Sequence, residues 1–296
     1  ANNTLAARLS ALTHLSRWLR EEGIEWPPSE PEVFAYVKDI CGPGTPFTRA
    51  TRMLEVISWI QHVLKGVGLK DIVESRRLAG FAKEKADEAP ERKQAVPFTP
   101  EEVKMLEAYV GNSGQALSLR LITGAMLFLI ATRGRYADLG NVLSLTEDGD
   151  YLEAHISKAK TAGKDSSRLK LSLLGPVRLF GPGDWYKQWQ TIRRDAQING
   201  KGWPLMPAYV NGDWVNASIC LDDFNRGLRL VAKKTGMAGL SERSSHSCKA
   251  TLLAFSSEKG LSPDVRAVLG YHKAKGESNS VRSYDRDRLR FPVSQL

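Results

Sequence analysis

Five short segments of the 296-residue chain combine cationic, imidazole and hydroxyl side chains that suit chemistry on a phosphate group. In chain order they are Thr132–Leu139, His155–Thr161, Ser244–Thr251, Leu269–His272 and Ser283–Arg286. Arginine and lysine bind phosphate oxygens, imidazole can donate a hydrogen bond to them, and a tyrosine can act as a nucleophile. The set predicts a phosphate-handling site, provided that the fold brings the segments together.

The first two segments supply the candidate cations. Arg135 suits phosphate binding because a guanidinium makes bidentate contacts, and Asp138 follows it in the pattern Arg-x-x-Asp-Leu. Lys160 comes at the end of a predicted strand and is a candidate cation for the phosphate-handling site. Its neighbours Lys158 and Lys164 could serve in its place. Taken singly, such an Arg and Asp are more typical of an ion pair on a helix surface, and a hairpin lysine of a solvated side chain. The prediction therefore depends on the whole set.

The later segments supply histidines and a tyrosine. His246 and Lys249 are three residues apart, so they share one face of a predicted helix. Cys248 is two residues from His246, and residues two apart on a helix point away from each other, which argues against a cysteine–histidine pair. His272 ends a predicted short helix, and Tyr284 lies in a predicted basic C-terminal helix.

Elements that would position these residues can be read from the hydrophobic periodicity. Residues 1–86 predict a small bundle of four amphipathic helices, near 5–19, 32–40, 48–65 and 69–85. Buried stripes are predicted for Leu5, Leu9, Leu12, Leu15 and Leu19 in the first helix and for Met53, Val56, Ile57, Ile60 and Leu64 in the third.

Residues 87–98 are polar, contain prolines and read as a linker, after which Thr99-Pro100-Glu101-Glu102 is a strong helix start. A second domain is expected over 99–296. Its helices are predicted near 116–131, 184–199, 222–234, 245–259, 263–269 and 279–290, and its strands over 151–156 and 169–173. The predicted fold class is mainly α with one small antiparallel β-sheet, that is, α+β.

Composition limits the partners and the compartment. The 42 Lys and Arg against 33 Asp and Glu give a net charge of +9, which is compatible with a polyanionic partner such as nucleic acid. No apolar run approaches the roughly 18 residues of a membrane span, so no membrane association is expected. Three widely spaced cysteines exclude a disulfide scaffold and a CxxC metal site, and no secretory signal is visible. We expect an intracellular protein.

In their order, the arginine, hairpin lysine, His-x-x-basic pair, Leu-Gly-x-His and late tyrosine resemble the tyrosine recombinases of the phage integrase family. The resemblance extends to the architecture of the whole chain. It implies an N-terminal helical core-binding domain over 1–86 that contacts DNA, the linker 87–98 and a catalytic domain over 99–296. It also implies a site-specific DNA recombinase that cleaves and rejoins strands.

Roles for single residues follow from the same resemblance. Arg135 would be the first catalytic arginine, Asp138 the acid that orients the site, and Lys160 the general acid. Tyr284 would be the nucleophile that forms a 3′-phosphotyrosyl intermediate. The histidine positions of the family fall on two residues, His246 and His272.

Three features depart from the family pattern and leave alternatives open. Lys249 stands where the family has an arginine, an extra residue, Tyr271, precedes His272, and the interval from His272 to Tyr284 is longer than the family pattern has. Tyr271 is itself a rival nucleophile by position. A type IB topoisomerase-like enzyme and a catalytically inactive recombinase-derived DNA-binding protein are the alternative functions.

The resemblance also implies partners and cofactors. Double-stranded DNA sites would be the partner, and the assembly would be a tetramer on two DNA sites, with a monomer or dimer in the absence of DNA. Phosphotyrosyl chemistry conserves bond energy, so neither a metal, a cofactor nor ATP is expected. The expected location is with DNA, in the cytoplasm of a prokaryote or in a nucleus.

Overall fold

The computed structural model describes residues 2–90, 94–157, 171–239, 242–271 and 290–296. The chain forms two compact units, Ala1–Lys93 and Gln94–Leu296, and their boundary falls inside the predicted linker. The DNA-binding and catalytic roles that the sequence assigns to these units stay predictions.

Unit 1 is helical throughout its regular structure. Its helices are α1 (Asn2–Glu21), α2 (Glu30–Ile40), α3 (Arg49–His62), α4 (Lys70–Val73) and α5 (Arg76–Asp87). The single helix predicted over 69–85 is two helices, because Ser75 is extended and its hydroxyl caps α5 by accepting from the Leu78 N–H at 3.1 Å.

The buried stripes of unit 1 are shorter than the sequence predicts. Leu15 and Leu19 are buried, whereas Leu5 and Leu9 are 46% and 49% exposed, so the prediction of a continuous stripe is wrong over its first two turns. Periodicity places these leucines on one face of α1, but it does not show how far other helices cover that face. Leu64 is also exposed, because α3 ends at His62 and Leu64 lies beyond the helix.

Unit 2 is built around α7 (Leu117–Thr132), whose residues from Leu121 to Thr132 are all buried. The surrounding helices are α6 (Pro100–Gly111), α8 (Trp185–Asp195), α9 (Leu221–Lys234), α10 (Ser245–Glu258), α11 (Pro263–Leu269) and α12 (Arg290–Ser294). Helices α6, α8, α9 and α10 pack against α7. A helix that is apolar on all sides can be stable only in such a position. The helix predicted over 279–290 lies outside the described residues except for its last residue.

The described strands of unit 2 form two antiparallel sheets, where the sequence predicts only one. The first has the order β1 (Val142–Asp148), β2 (Tyr151–Ile156), β3 (Leu171–Pro176), and the second is the hairpin β4 (Pro207–Val210) and β5 (Asp213–Ser218). The hairpin has no clear hydrophobic pattern in the sequence because its strands are short and mostly exposed. Asn211-Gly212, both with positive φ, is the turn signal that could have located it. The architecture is mainly α with small antiparallel sheets.

Arg243 fixes the start of unit 2 to the region just before α10. Its guanidinium donates to both carboxylate oxygens of Glu102, at 2.8 and 3.0 Å, and to the carbonyls of Val96 and Pro97. It also lies over the Phe98 ring, 4.9 Å from the centroid. Because Glu102 is in the first turn of α6, this arginine holds the beginning of the unit in place for the elements that follow.

Candidate functional site

Arg135 lies just beyond the C-terminal end of α7. The helix ends at Thr132. Arg133, with a φ of 51°, then turns the chain away from the helical path, and Arg135 adopts an extended conformation. A 3₁₀ helix follows over Tyr136–Gly140. Oδ2 of Asp138, in that short helix, accepts a hydrogen bond from the Arg135 backbone N–H at 2.7 Å. The pattern Arg-x-x-Asp therefore forms a closed turn that fixes the backbone of Arg135.

His246 and Lys249 lie in the first turns of α10. Ser244 caps this helix through its hydroxyl, which accepts from the His246 N–H at 3.3 Å. The Ser245 N–H donates to Oδ1 of Asn225 at 2.9 Å, so α9 also holds the beginning of α10. His246 is exposed, whereas Lys249, one turn later, is half-buried.

Electrostatic coupling shows that Arg135, Asp138 and Lys249 come together. The pKa of Lys249 is lowered to about 8, mainly by burial and also by the charges of Arg135 and Arg133, against the opposing effect of Asp138. Burial raises the pKa of Asp138, against the hydrogen bond from the Arg135 backbone and the charges of Arg135 and Lys249. The result is a half-buried cluster of positive charge beside one carboxylate.

We expect Lys249→Met to raise the free energy of unfolding at about pH 7 by roughly 1 kcal/mol, after allowance for solvent screening. The folded state holds this lysine at a pKa of about 8 against an ordinary value of 10.5. Between these values the unfolded chain binds the extra proton, so stability rises with pH in this window. The gain from Lys249→Met is therefore largest below about pH 8 and shrinks toward about pH 10.

Urea denaturation at about pH 7 and about pH 10 measures this change in the free energy of unfolding. The exposed Lys234, near the end of α9, provides the control Lys234→Met, for which no gain is expected. A Lys249→Met variant that is no more stable than the wild type, or equally stabilised at both pH values, would contradict the assigned environment.

Tyr271, the rival nucleophile, is only 5% exposed. Its hydroxyl donates to the Thr132 carbonyl at 2.5 Å, and burial raises the pKa of the phenol. A phenol that is enclosed and engaged in this way is a poor nucleophile, so the structure gives Tyr271 a structural role. Cys248 is also buried, and burial raises its pKa to about 12, which is typical of an inert thiol.

Three predicted site residues lie outside the described residues. They are Lys160, with its neighbours Lys158 and Lys164, and His272 and Tyr284. In the chain, the lysines lie between β2 and β3, and His272 directly follows the described Tyr271. Their roles stay predictions. Across the described ranges, no group of three His, Cys, Asp or Glu residues could hold a metal ion.

Two features of the site were missed by sequence reasoning. One is Arg133, which is completely buried next to the cationic cluster. No pattern distinguishes it from the exposed arginines of the chain. The other is the outer face of α9, where Arg226, Arg229, Lys233 and Lys234 are all exposed. The three- and four-residue spacing of Arg226, Arg229 and Lys233 was a signal that could have found this basic face.

The helices of the described residues include none that is long and apolar enough to cross a membrane.

Comparison with known proteins identifies the fold. No family model and no curated protein matches the sequence. Solved structures do match. XerH site-specific recombinase bound to difH substrate, in a pre-cleavage complex, has a TM-score of 0.58 at 12% identity over 99% of this chain and 78% of that chain.

Two structures of lambda integrase are also similar. A tetramer bound to a Holliday junction has a TM-score of 0.53 at 14% identity, over 94% of this chain and 74% of that chain. A dimer bound to a COC′ core site has a TM-score of 0.52 at 15% identity, over 94% and 91%. All three neighbours are recombination proteins on DNA. The chain therefore has the fold of the tyrosine recombinases.

Proposed function

We propose that the protein is a site-specific DNA recombinase that cleaves and rejoins strands through a 3′-phosphotyrosyl intermediate. The main support is the convergence of Arg135, Asp138 and Lys249 at the end of a buried helix, in a chain with this fold. These residues come from segments more than 100 positions apart. If Arg135, Asp138 and Lys249 served only to stabilise their own helices, they would not be expected to gather in one cationic cluster.

In the proposed reaction, the Tyr284 phenolate attacks the scissile phosphorus. A bond forms between the phenol oxygen and the 3′-phosphate, and the bond to the 5′-oxygen breaks. Lys160 gives that leaving oxygen its proton. Arg135 binds two non-bridging oxygens, whose charge increases in the transition state, so a fixed cation lowers the barrier. The phosphotyrosyl bond keeps the energy needed for religation.

Lys249 takes the place of a second arginine in this proposal. An ammonium is a point charge and can hold one phosphate oxygen, whereas a guanidinium can hold two. A phosphate between Lys249 and Arg135 would relieve their mutual repulsion and favour the charged lysine. His246, one turn away and exposed, and His272 would donate hydrogen bonds to the same group.

Duplex DNA is the proposed partner. The hydrogen bond between the Ser245 N–H and Asn225 joins α9 to α10, which supports a role for the exposed basic face of α9 in contacts with DNA phosphates. In unit 1, a further group of exposed basic residues suits backbone contacts: Arg17, Arg20, Arg49, Arg52, Lys65 and Lys70. A tetramer on two DNA sites is proposed because the lambda integrase neighbour is a tetramer bound to a Holliday junction.

Covalent trapping tests this function. Duplexes that the protein binds are first selected from a random library and are then prepared with a nick near the scissile position, so that religation fails. Denaturing electrophoresis and peptide mapping are expected to show DNA joined through its 3′-phosphate to the peptide that contains Tyr284.

Two other outcomes would favour the rival functions. Sequence-specific binding without any adduct would indicate a catalytically inactive DNA-binding protein, which the lysine at position 249 makes a real alternative. Relaxation of supercoiled plasmid by a monomer, without sequence preference, would indicate a type IB topoisomerase-like enzyme.

A further inference from the structure

We propose that Arg133 is a positioning residue of the candidate site, which ties the end of α7 to β3 and to the end of α11 and adds a buried positive charge near Lys249. This inference rests on the proposed recombinase function. It assigns a role to a residue outside the motif residues Arg135, Asp138, His246 and Lys249.

The guanidinium of Arg133 is held by backbone carbonyls instead of by an acid. Its side chain is 0% exposed, and it donates to the carbonyls of Ala131 at 2.5 Å, Leu174 at 3.0 Å and Leu269 at 3.2 Å. No carboxylate among the described residues forms an ion pair with it. A buried charge that is not neutralised is costly, so its retention needs a reason beyond packing.

The backbone at this position points to the same conclusion. Arg133 has a φ of 51°, in the left-handed region that glycine adopts without steric cost and an arginine does not. The next residue in the chain is a glycine, Gly134. The side chain of Arg133 must therefore contribute enough to offset both the strained backbone and the buried charge.

The contacts of Arg133 join the end of α7 to two other elements of unit 2. Leu174 belongs to β3, and Leu269 is the last residue of α11. The connection to α11 is double, because the Tyr271 hydroxyl in turn donates to the Thr132 carbonyl of α7. Arg135 lies two residues after Arg133. Movement of this junction would therefore displace Arg135.

The charge of Arg133 also reaches the phosphate-binding residues. Together with Arg135, it lowers the pKa of Lys249, although burial is the largest cause of that shift. Because the guanidinium is enclosed by protein, water screens its field weakly. Burial lowers the pKa of Arg133 itself, whereas the carbonyls that accept its hydrogen bonds favour the charged guanidinium. Arg133 therefore adds positive charge next to Lys249.

Arg133→Gln tests the inference, with Arg193→Gln as the matched control. Arg193 is likewise buried and donates to the carbonyls of Ile198 and Pro204, but its electrostatic partner is Tyr186, in α8. Both variants lose a buried guanidinium that holds backbone carbonyls. Only Arg133→Gln is expected to alter the site.

Two readouts separate positioning from stability. The rate of adduct formation is measured at subsaturating DNA between about pH 6 and pH 10. At each pH, the wild-type rate is divided by the rate of Lys249→Arg, whose side chain stays charged over this range, so that the ratio reports the titration of Lys249. The rate ratio is expected to fall at alkaline pH as Lys249 loses its proton. Arg133→Gln is expected to lower the rate by roughly 10- to 100-fold and to move this fall to higher pH. In the Lys249→Arg background, Arg133→Gln should not move the pH profile. Arg193→Gln should change neither.

The second readout is independent of activity. The pKa of Lys249 is followed by NMR on protein with ¹³C- and ¹⁵N-labelled lysine, and Lys249→Arg identifies its resonance by removing it. Arg133→Gln is expected to raise this pKa, and Arg193→Gln is not. If the wild type forms no adduct, the proposed function fails, and this titration still tests the charge assigned to Arg133.

A wild-type rate with an unchanged pH profile in Arg133→Gln would overturn the inference. So would a rate loss equal to that of Arg193→Gln without any change in the Lys249 titration. If Arg133→Gln does not fold, Arg133→Lys replaces it, because it keeps the charge without the planar fork. That variant should lose rate with an unchanged pH profile, and a wild-type rate would overturn the positioning role.

Discussion

Replacing Arg135 with alanine should lower the rate of covalent adduct formation on nicked DNA by about 10³-fold. The physical reason is that Arg135 is the one candidate in the described site able to hold two phosphate oxygens at once, and charge on those oxygens grows toward the transition state. Affinity for DNA should change by no more than about threefold, because many backbone contacts share the binding energy. Single-turnover kinetics and a binding titration measure the two effects separately.

Two variants provide the comparison. Arg135→Lys keeps the charge without the bidentate geometry and should fall between the wild type and Arg135→Ala. Arg226→Ala removes an exposed arginine from α9 and should weaken binding slightly, with little effect on the chemical step. Equal losses of binding and cleavage in Arg135→Ala would indicate that Arg135 is only structural.

Replacing Tyr284 with phenylalanine should abolish the adduct, a loss of about 10⁴-fold or more, because no oxygen remains to attack phosphorus. Binding and folding should be unaffected, since only one hydroxyl is removed. The measurement is the yield of protein–DNA adduct under denaturing conditions, with mass spectrometry of the linked peptide.

Tyr271→Phe is the informative control for this variant. It should still give an adduct on Tyr284, while it loses stability by about 1–3 kcal/mol because the buried Thr132 carbonyl loses its donor. An adduct that survives Tyr284→Phe and disappears in Tyr271→Phe would reverse the two assignments.

Much of the fold could be predicted because the hydrophobic periodicity of this chain is strong where packing is dense. The buried helix expected over 116–131 is found at Leu117–Thr132, and the strand expected over 151–156 is β2. Predictions were wrong where burial depends on neighbours. Leu5 and Leu9 have the spacing of core residues, but coverage of a helix face is decided by other parts of the unit.

The candidate site divides in a similar way. Arg135, Asp138 and Lys249 could be proposed from residue type and order, because phosphate chemistry needs those groups. Arg133 could not, since its importance comes from three carbonyls and a backbone turn that only the folded chain brings together. The lowered pKa of Lys249 is likewise a property of its surroundings and has no counterpart in the sequence.

The crowding of Arg133, Arg135 and Lys249 means that the molecule without DNA keeps these cations close together at a cost in free energy. An incoming phosphate turns that mutual repulsion into attraction for a shared anion. Under the proposed function, part of the free energy of phosphate binding would therefore come from relief of strain in the protein itself.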